Sequence, residues 1–167
     1  MKIMKIAIFL SIASAFSCQT KIDDKRASEI IERFERTDAP ILKGFYLPED
    51  AVVFQTSGLV APVIDAEGND LQKYGDMATQ CHGVIKRIKE TLALKDFTIR
   101  DIVFLRVYIA PDQNGHIDFD TFFSIYGTYF NNADNPNKVA RSTIGVYRLA
   151  RPGLLIEVEA LAARVSE

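Results

Sequence analysis

Residues Val139 to Ala163 read VARSTIGVYRLARPGLLIEVEALAA, and the fold turns on how this stretch is taken. Two alternating apolar runs flank a turn at Ala150-Arg151-Pro152-Gly153, the pattern of a β-hairpin. The runs carry charges where core residues are expected: Arg141 at the start of the first, Glu157 and Glu159 inside the second. An embedded charge is costly unless it is paired or faces a polar cavity. A guanidinium in that position suits the two-pronged grip of a carboxylate, and the glutamates suit orienting a water or sharing a proton. An Arg–Glu pair inside an oligomer interface is the other reading that the chemistry allows.

Upstream, Asp101 to Ala110 (DIVFLRVYIA) alternates Val103, Leu105, Val107 and Ile109 against Phe104, Arg106 and Tyr108. That spacing predicts a strand with one face under helices and a mixed aromatic and polar face suited to burial against another subunit. Met77, Cys81, Val84, Ile85, Ile88 and Leu92 recur at helical spacing with Lys86, Arg87, Lys89 and Glu90 opposite, which predicts the first long helix. His82 beside Cys81 has no metal-ligand spacing and is expected at the helix rim, with Cys81 as a small buried hydrophobe. Phe119, Phe122, Phe123, Tyr126 and Phe130 mark a second, aromatic-rich helix whose bulk is core, with Phe123 or Tyr126 reaching a pocket wall. Turns are expected at Asp65–Asp70 and Asp112–Gly115, and a loop at 131–138.

Ala51-Val52-Val53-Phe54 leads into Gln55-Thr56-Ser57-Gly58-Leu59-Val60, a strand whose glycine permits another group to approach the backbone, while Ser57 adds a hydroxyl. A plain bulge is the alternative. The order is thus strands, helix, strand, helix, hairpin: an α+β layer with both helices on one sheet face.

The 167 residues suffice for one domain and accessories, and 20 Lys+Arg against 22 Asp+Glu give a net charge of −2, without the basic excess of a nucleic-acid binder. No His/Cys/carboxylate cluster stands at ligand spacing and no glycine-rich phosphate loop is present, so neither metal nor cofactor is expected.

At the N-terminus, Lys2 and Lys5 precede an apolar run from Ile6 to Phe16 that is too short to span a bilayer, followed by Ser17 and Cys18: an export signal. Residues 1–17 are read as a lipoprotein-type signal peptide, Cys18 as the lipidated first mature residue, and 18–40 as a tether with a short amphipathic helix over Ala27–Phe34. The domain follows at 41–167. Plain secretion with cleavage near Ala15 or Ser17 and a buried N-terminal strand are the competing readings. The lipoprotein reading places the protein outside the cytoplasm, in the bacterial periplasm or at the outer membrane, held by a lipid anchor.

Ala140-Arg141-Ser142-Thr143, the run ending in Arg148-Leu149, the turn, and Ile156-Glu157-Val158-Glu159-Ala160 resemble the C-terminal signature of the RidA (YjgF/YER057c/UK114) family of enamine/imine deaminases. The likeness extends back to about Pro40 and includes Thr56-Ser57-Gly58. It implies a chorismate-mutase-like sheet, three subunits closing as a barrel, and three sites in the clefts between neighbours. It also implies hydrolysis of 2-enamino or 2-imino acids to 2-keto acids and ammonia. Arg141 would then hold the substrate carboxylate and Glu157 would position the water, with Ser57, Gly58, Thr143 and Tyr126 around the substrate. A non-catalytic trimer binding small carboxylates is the alternative, and the RNA cleavage ascribed to some relatives is disfavoured by the charge.

Four departures from the family pattern stand out. Gly44-Phe45-Tyr46 replaces a Gly-Pro-Tyr segment whose tyrosine lines the site, Phe123 replaces an asparagine, and Thr143 replaces a cysteine. Arg141 and Glu157 are also one residue further apart, which in a hairpin would turn Glu157 to the wrong face unless a bulge absorbed it.

Overall fold

The computed structural model describes residues 30–165. The expected signal peptide, Cys18 and most of the expected tether lie outside the described residues.

Strand β5 (Ile102–Ile109) is the sheet's axis. Leu105, Val107 and Ile109 are fully buried on one face while Phe104, Arg106 and Tyr108 are half-buried on the other, as the alternation predicts. An irregularity between Ile102 and Phe104 leaves the equally buried Val103 out of the pairing and puts Ile102 in the core in its place. β5 lies between two strands: β6 (Ala140–Gly145), parallel to it, and β7 (Ile156–Val165), antiparallel. The expected hairpin is therefore not formed. β6 and β7 do not pair with each other, and the turn between them carries the chain over one end of β5. Alternation marks each run as a strand and says nothing about its partner, so the short connection alone suggested a pairing that the sheet does not make.

On the far side, β3 (Ala51–Gln55) and β4 (Leu59–Val60) pair one after the other with β7, giving the order β3-β7-β5-β6. Between them the chain leaves the ladder, and Thr56 closes the gap. Its N–H donates to Ala160 O at 2.9 Å and its hydroxyl accepts from Ala160 N–H at 3.0 Å.

Three α-helices are formed among the described residues: α1 (Asp70–Tyr74), α2 (Met77–Ala93) and α3 (Phe119–Tyr129). Asp76 caps α2 by accepting from Thr79 N–H at 2.8 Å, and Asp118 caps α3 by accepting from Thr121 N–H at 2.9 Å. The buried stripe of α2 is the expected one, Met77, Cys81, Val84, Ile85, Ile88 and Leu92, with Gln80 added. Phe122, Ile125 and Tyr126 of α3 complete a core laid on Ile102, Leu105, Val107 and Ile109.

Gln80 is fully buried, and its amide joins α2 to the loop before β7. Nε2 donates to Gly75 O at 3.0 Å and to Gly153 O at 2.8 Å, and Oε1 accepts from Leu155 N–H at 2.8 Å. Gly153 is required there, at φ +79°, because a Cβ would overlap the Asp70 carbonyl. Gln80→Leu leaves three backbone groups without partners and is expected to cost about 2–4 kcal/mol, checked by urea unfolding.

Of the expected helix over Ala27–Phe34, residues 27–29 lie outside the described residues and the remainder is corrected. Glu32–Phe34 is strand β1, paired antiparallel with β2 (Gly44–Tyr46) in a two-stranded ribbon. Tertiary hydrogen bonds override the local periodicity. The Arg33 guanidinium donates to Lys138 O at 2.8 Å and to Ile102 O at 3.0 Å, and Lys138 Nζ donates to Arg36 O at 2.7 Å. Leu42 N–H donates to Val139 O at 3.1 Å. A boundary drawn at residue 41 thus cuts through a ribbon docked beside the start of β6.

Candidate active site

Parallel pairing sets Arg141 opposite Leu105 and Thr143 opposite Val107, so both side chains lie on the helix-covered face of edge strand β6. There α3 meets Arg141 with three rings. The guanidinium carbon lies 4.3 Å from the Tyr126 ring centroid, 4.9 Å from Phe123 and 5.1 Å from Phe122. Rings stabilise the cation without supplying an acceptor. Arg141 Nη1 and Thr143 Oγ1 are both buried with no hydrogen-bond partner, and Arg141 has no carboxylate partner among the described residues.

Burial pushes the Arg141 pKa below the usual guanidinium value, opposed by Tyr126, yet a guanidinium does not lose its proton in a protein. The result is a desolvated cation lacking an anion. Burial also raises the Tyr126 phenol, whose hydroxyl donates to Pro40 O at 3.2 Å. The cleft at this point is about 330 Å³, lined by Pro40, Phe123, Tyr126, Phe130, Asn131 and Arg141, with Gly127 on the same wall.

Glu157 lies elsewhere. It pairs across β7 with Tyr108 on one side and Val60 on the other, on the open face. Its carboxylate crosses directly over Gly58, so closely that a Cβ on that residue would overlap it. This is the approach expected at the glycine, with exposed Ser57 alongside. The Glu157 carboxylate makes no hydrogen bond or ion pair among the described residues. Glu159 differs: it is bound to Arg106 Nη1 at 2.9 Å and accepts from the Tyr108 hydroxyl at 3.3 Å. The structural Arg–Glu pair thus belongs to Arg106 and Glu159, and Glu157 is the free carboxylate.

Because the obstructing atoms at Gly58 are the flexible end of a side chain, Gly58→Ala is expected to change stability by less than about 1 kcal/mol while turning Glu157 aside. Misplacement of a catalytic group on that scale costs about 10- to 100-fold in turnover, measurable by steady-state kinetics beside a urea curve.

The site residues therefore fall into two groups: Arg141, Thr143 and Tyr126 on one face, and Ser57, Gly58 and Glu157 on the other. Two strand spacings and three residues of rise separate the Arg141 and Glu157 Cα atoms by roughly 14 Å, with opposite orientation as well. One copy of the chain does not unite them.

Sequence reasoning missed the full ring box around Arg141 and the part of Pro40 in the cleft, which depends on ribbon docking. Phe45 packs on Phe104 with ring centroids 6.4 Å apart, whereas Tyr46 is 48% exposed and is the ring left free at the Gly44-Phe45-Tyr46 segment. His82 is exposed, as expected, and its Nδ1 lies 2.8 Å from the Tyr129 hydroxyl. A larger cleft of about 400 Å³ follows the loop 147–154, but it contains no buried unpaired polar atom. Among the described residues no group of three His, Cys, Asp or Glu side chains converges as a metal site would require.

The model of the family described as Endoribonuclease L-PSP matches residues 50–164. A RutC family protein of Pyrococcus abyssi is 35% identical over 99 residues, covering 59% of this chain and 70% of that protein. Among solved structures, the Rid family protein YyfB of Yersinia pestis is 25% identical with a TM-score of 0.61, covering 80% of this chain and 98% of that one. Escherichia coli TdcF, solved with bound serine, is 26% identical with a TM-score of 0.53, covering 80% and 98%.

Proposed function

Since the chain belongs to the Endoribonuclease L-PSP family, that of the RidA/YjgF proteins, we propose that it hydrolyses 2-imino and 2-enamino acids to 2-keto acids and ammonia, at sites built between copies in a homotrimer. The observation that carries this is the desolvated Arg141 cation, with Nη1 lacking an acceptor beside the equally unpartnered Thr143 hydroxyl. A substrate carboxylate supplies the missing anion with two parallel hydrogen bonds. The serine bound in TdcF carries such a group.

Glu157 of a second copy then faces the imine carbon. It takes a proton from the attacking water as the C–O bond forms, giving a carbinolamine. The same proton is delivered to the amino group, the C–N bond breaks, and ammonia leaves as the carbonyl forms and the hydroxyl proton passes back to the Glu157 carboxylate, balancing the attack of water on a protonated imine. Fixing the carboxylate aligns the reacting carbon with that water. Arg141 and Thr143 sit on a free sheet edge and Glu157 on an uncovered face, which is where a second copy has access to each.

The test adds purified protein to imino acids freshly generated by an amino-acid oxidase. Acceleration of ammonia release supports hydrolysis. No acceleration with carboxylate binding intact leaves the alternative, a small-carboxylate-binding trimer. The name of the family model raises RNA cleavage, which the net charge of −2 disfavours. RNase activity unchanged in Arg141→Ala would belong to another site or protein. Location completes the reading: a lipid on Cys18 would tether the domain to a membrane outside the cytoplasm, and the intact mass of the membrane-extracted protein reads it directly.

A further inference from the structure

We propose that Gly127 sets the size of substrate side chain this protein accepts, and that its preferred imino acids carry bulky apolar side chains, branched or aromatic. The inference rests on Arg141 as carboxylate anchor and goes on to the part of the ligand that the anchor does not touch.

Gly127 lies within α3, where alanine is the better helix former. Nothing in the chain itself calls for glycine there. Its φ is not in the left-handed region, and a Cβ would meet no heavy atom within 4 Å. A glycine with neither a backbone nor a packing reason, on the wall of the cleft that holds Arg141, leaves room for something other than protein. A side chain at 127 would share the helix face with Phe123, one turn earlier, and would project into the same space.

The rest of that space is largely apolar. Pro40, Phe123 and Phe130 line it, Asn131 adds one uncharged polar side chain, and the Tyr126 hydroxyl is already committed to Pro40 O. A ligand whose carboxylate meets Arg141 lays its side chain along these rings and over Gly127. No carboxylate lines the cleft to receive a cationic side chain.

The test uses stable 2-oxo acids, the products of the proposed hydrolysis, titrated calorimetrically into the full chain and its Gly127→Ala and Gly127→Leu variants. The unaltered protein is expected to bind phenylpyruvate and 4-methyl-2-oxopentanoate at least about tenfold more tightly than pyruvate, the scale of discrimination that an apolar pocket supplies. Gly127→Leu is expected to cut that ratio about tenfold or more, and Gly127→Ala to give an intermediate ratio with a Tm no lower than the parent. A ratio unmoved by Gly127→Leu, no preference for the bulky acids in the parent, or no binding of any of the three overturns the proposal. A shifted ratio without imine hydrolysis would retire the deaminase reading and leave this one standing. Hydrolysis with a flat ratio does the reverse. The chain-length preference of the unaltered protein is read without any variant and so does not depend on the folding of Gly127→Leu.

Discussion

Arg141→Ala is expected to lower kcat/KM for imine hydrolysis by about 10²- to 10³-fold, with global stability within about 1 kcal/mol of the parent. The catalytic loss follows from removing two charge-assisted hydrogen bonds worth about 1.5–3 kcal/mol each, discounted because the cleft is open to water. The small stability change follows from opposed terms. Deletion removes the attraction between the cation and the rings of Phe122, Phe123 and Tyr126, and it also removes a buried charge that has no acceptor at Nη1. Arg141→Lys is expected to recover little, since an ammonium neither stacks among three rings as a plane nor presents a fork to a carboxylate. Steady-state kinetics beside urea unfolding checks both halves. Lost stability with retained turnover would make Arg141 a structural cation.

Much of this site was legible in the sequence because charges in strands are conspicuous. Arg141 and Glu157 stood out as residues that packing does not explain, and Gly58 as a backbone position kept clear; the structure shows what it is kept clear for. The helix faces were legible for the same reason: α2 buries the six apolar positions that its spacing picks out. Periodicity is a local property, and these are local facts.

What failed was non-local. The run 140–145 and the run 156–165 are both strands, yet β5 lies between them, and a pattern with period two carries no information about its neighbour. The same insertion removes the concern over the extra residue between Arg141 and Glu157. That residue lengthens a connection passing over β5 and does not shift a hairpin register, so the opposite facing of the two side chains has another cause: parallel pairing of β6 with Leu105 and Val107, and antiparallel pairing of β7 with Tyr108. The ribbon was missed in like manner, because Arg33 reads as a solvent-facing residue until the carbonyls of Ile102 and Lys138 are known to lie within its reach.

That opposite facing turns the two-copy site into a sharp experiment. Glu157→Ala is expected to lower turnover by about 10²- to 10⁴-fold, the range for loss of a general base, and Arg141→Ala by the amount argued above. If each site takes Arg141 from one copy and Glu157 from the next around a closed ring, the two nearly inactive variants complement one another when mixed. In any three-membered ring that contains both variants, about one site in three receives the intact arginine from one variant and the intact glutamate from the other, so rings captured through both tags should show about a third of the parent activity. A site contained in one chain could not behave this way, since every copy in the mixture lacks one residue or the other. Co-expression of the two differently tagged variants, capture through both tags and an assay of ammonia release gives the measurement. Mixed oligomers with no more activity than either variant alone would mean that Arg141 and Glu157 never meet across an interface, and the hydrolytic reading would fall with them.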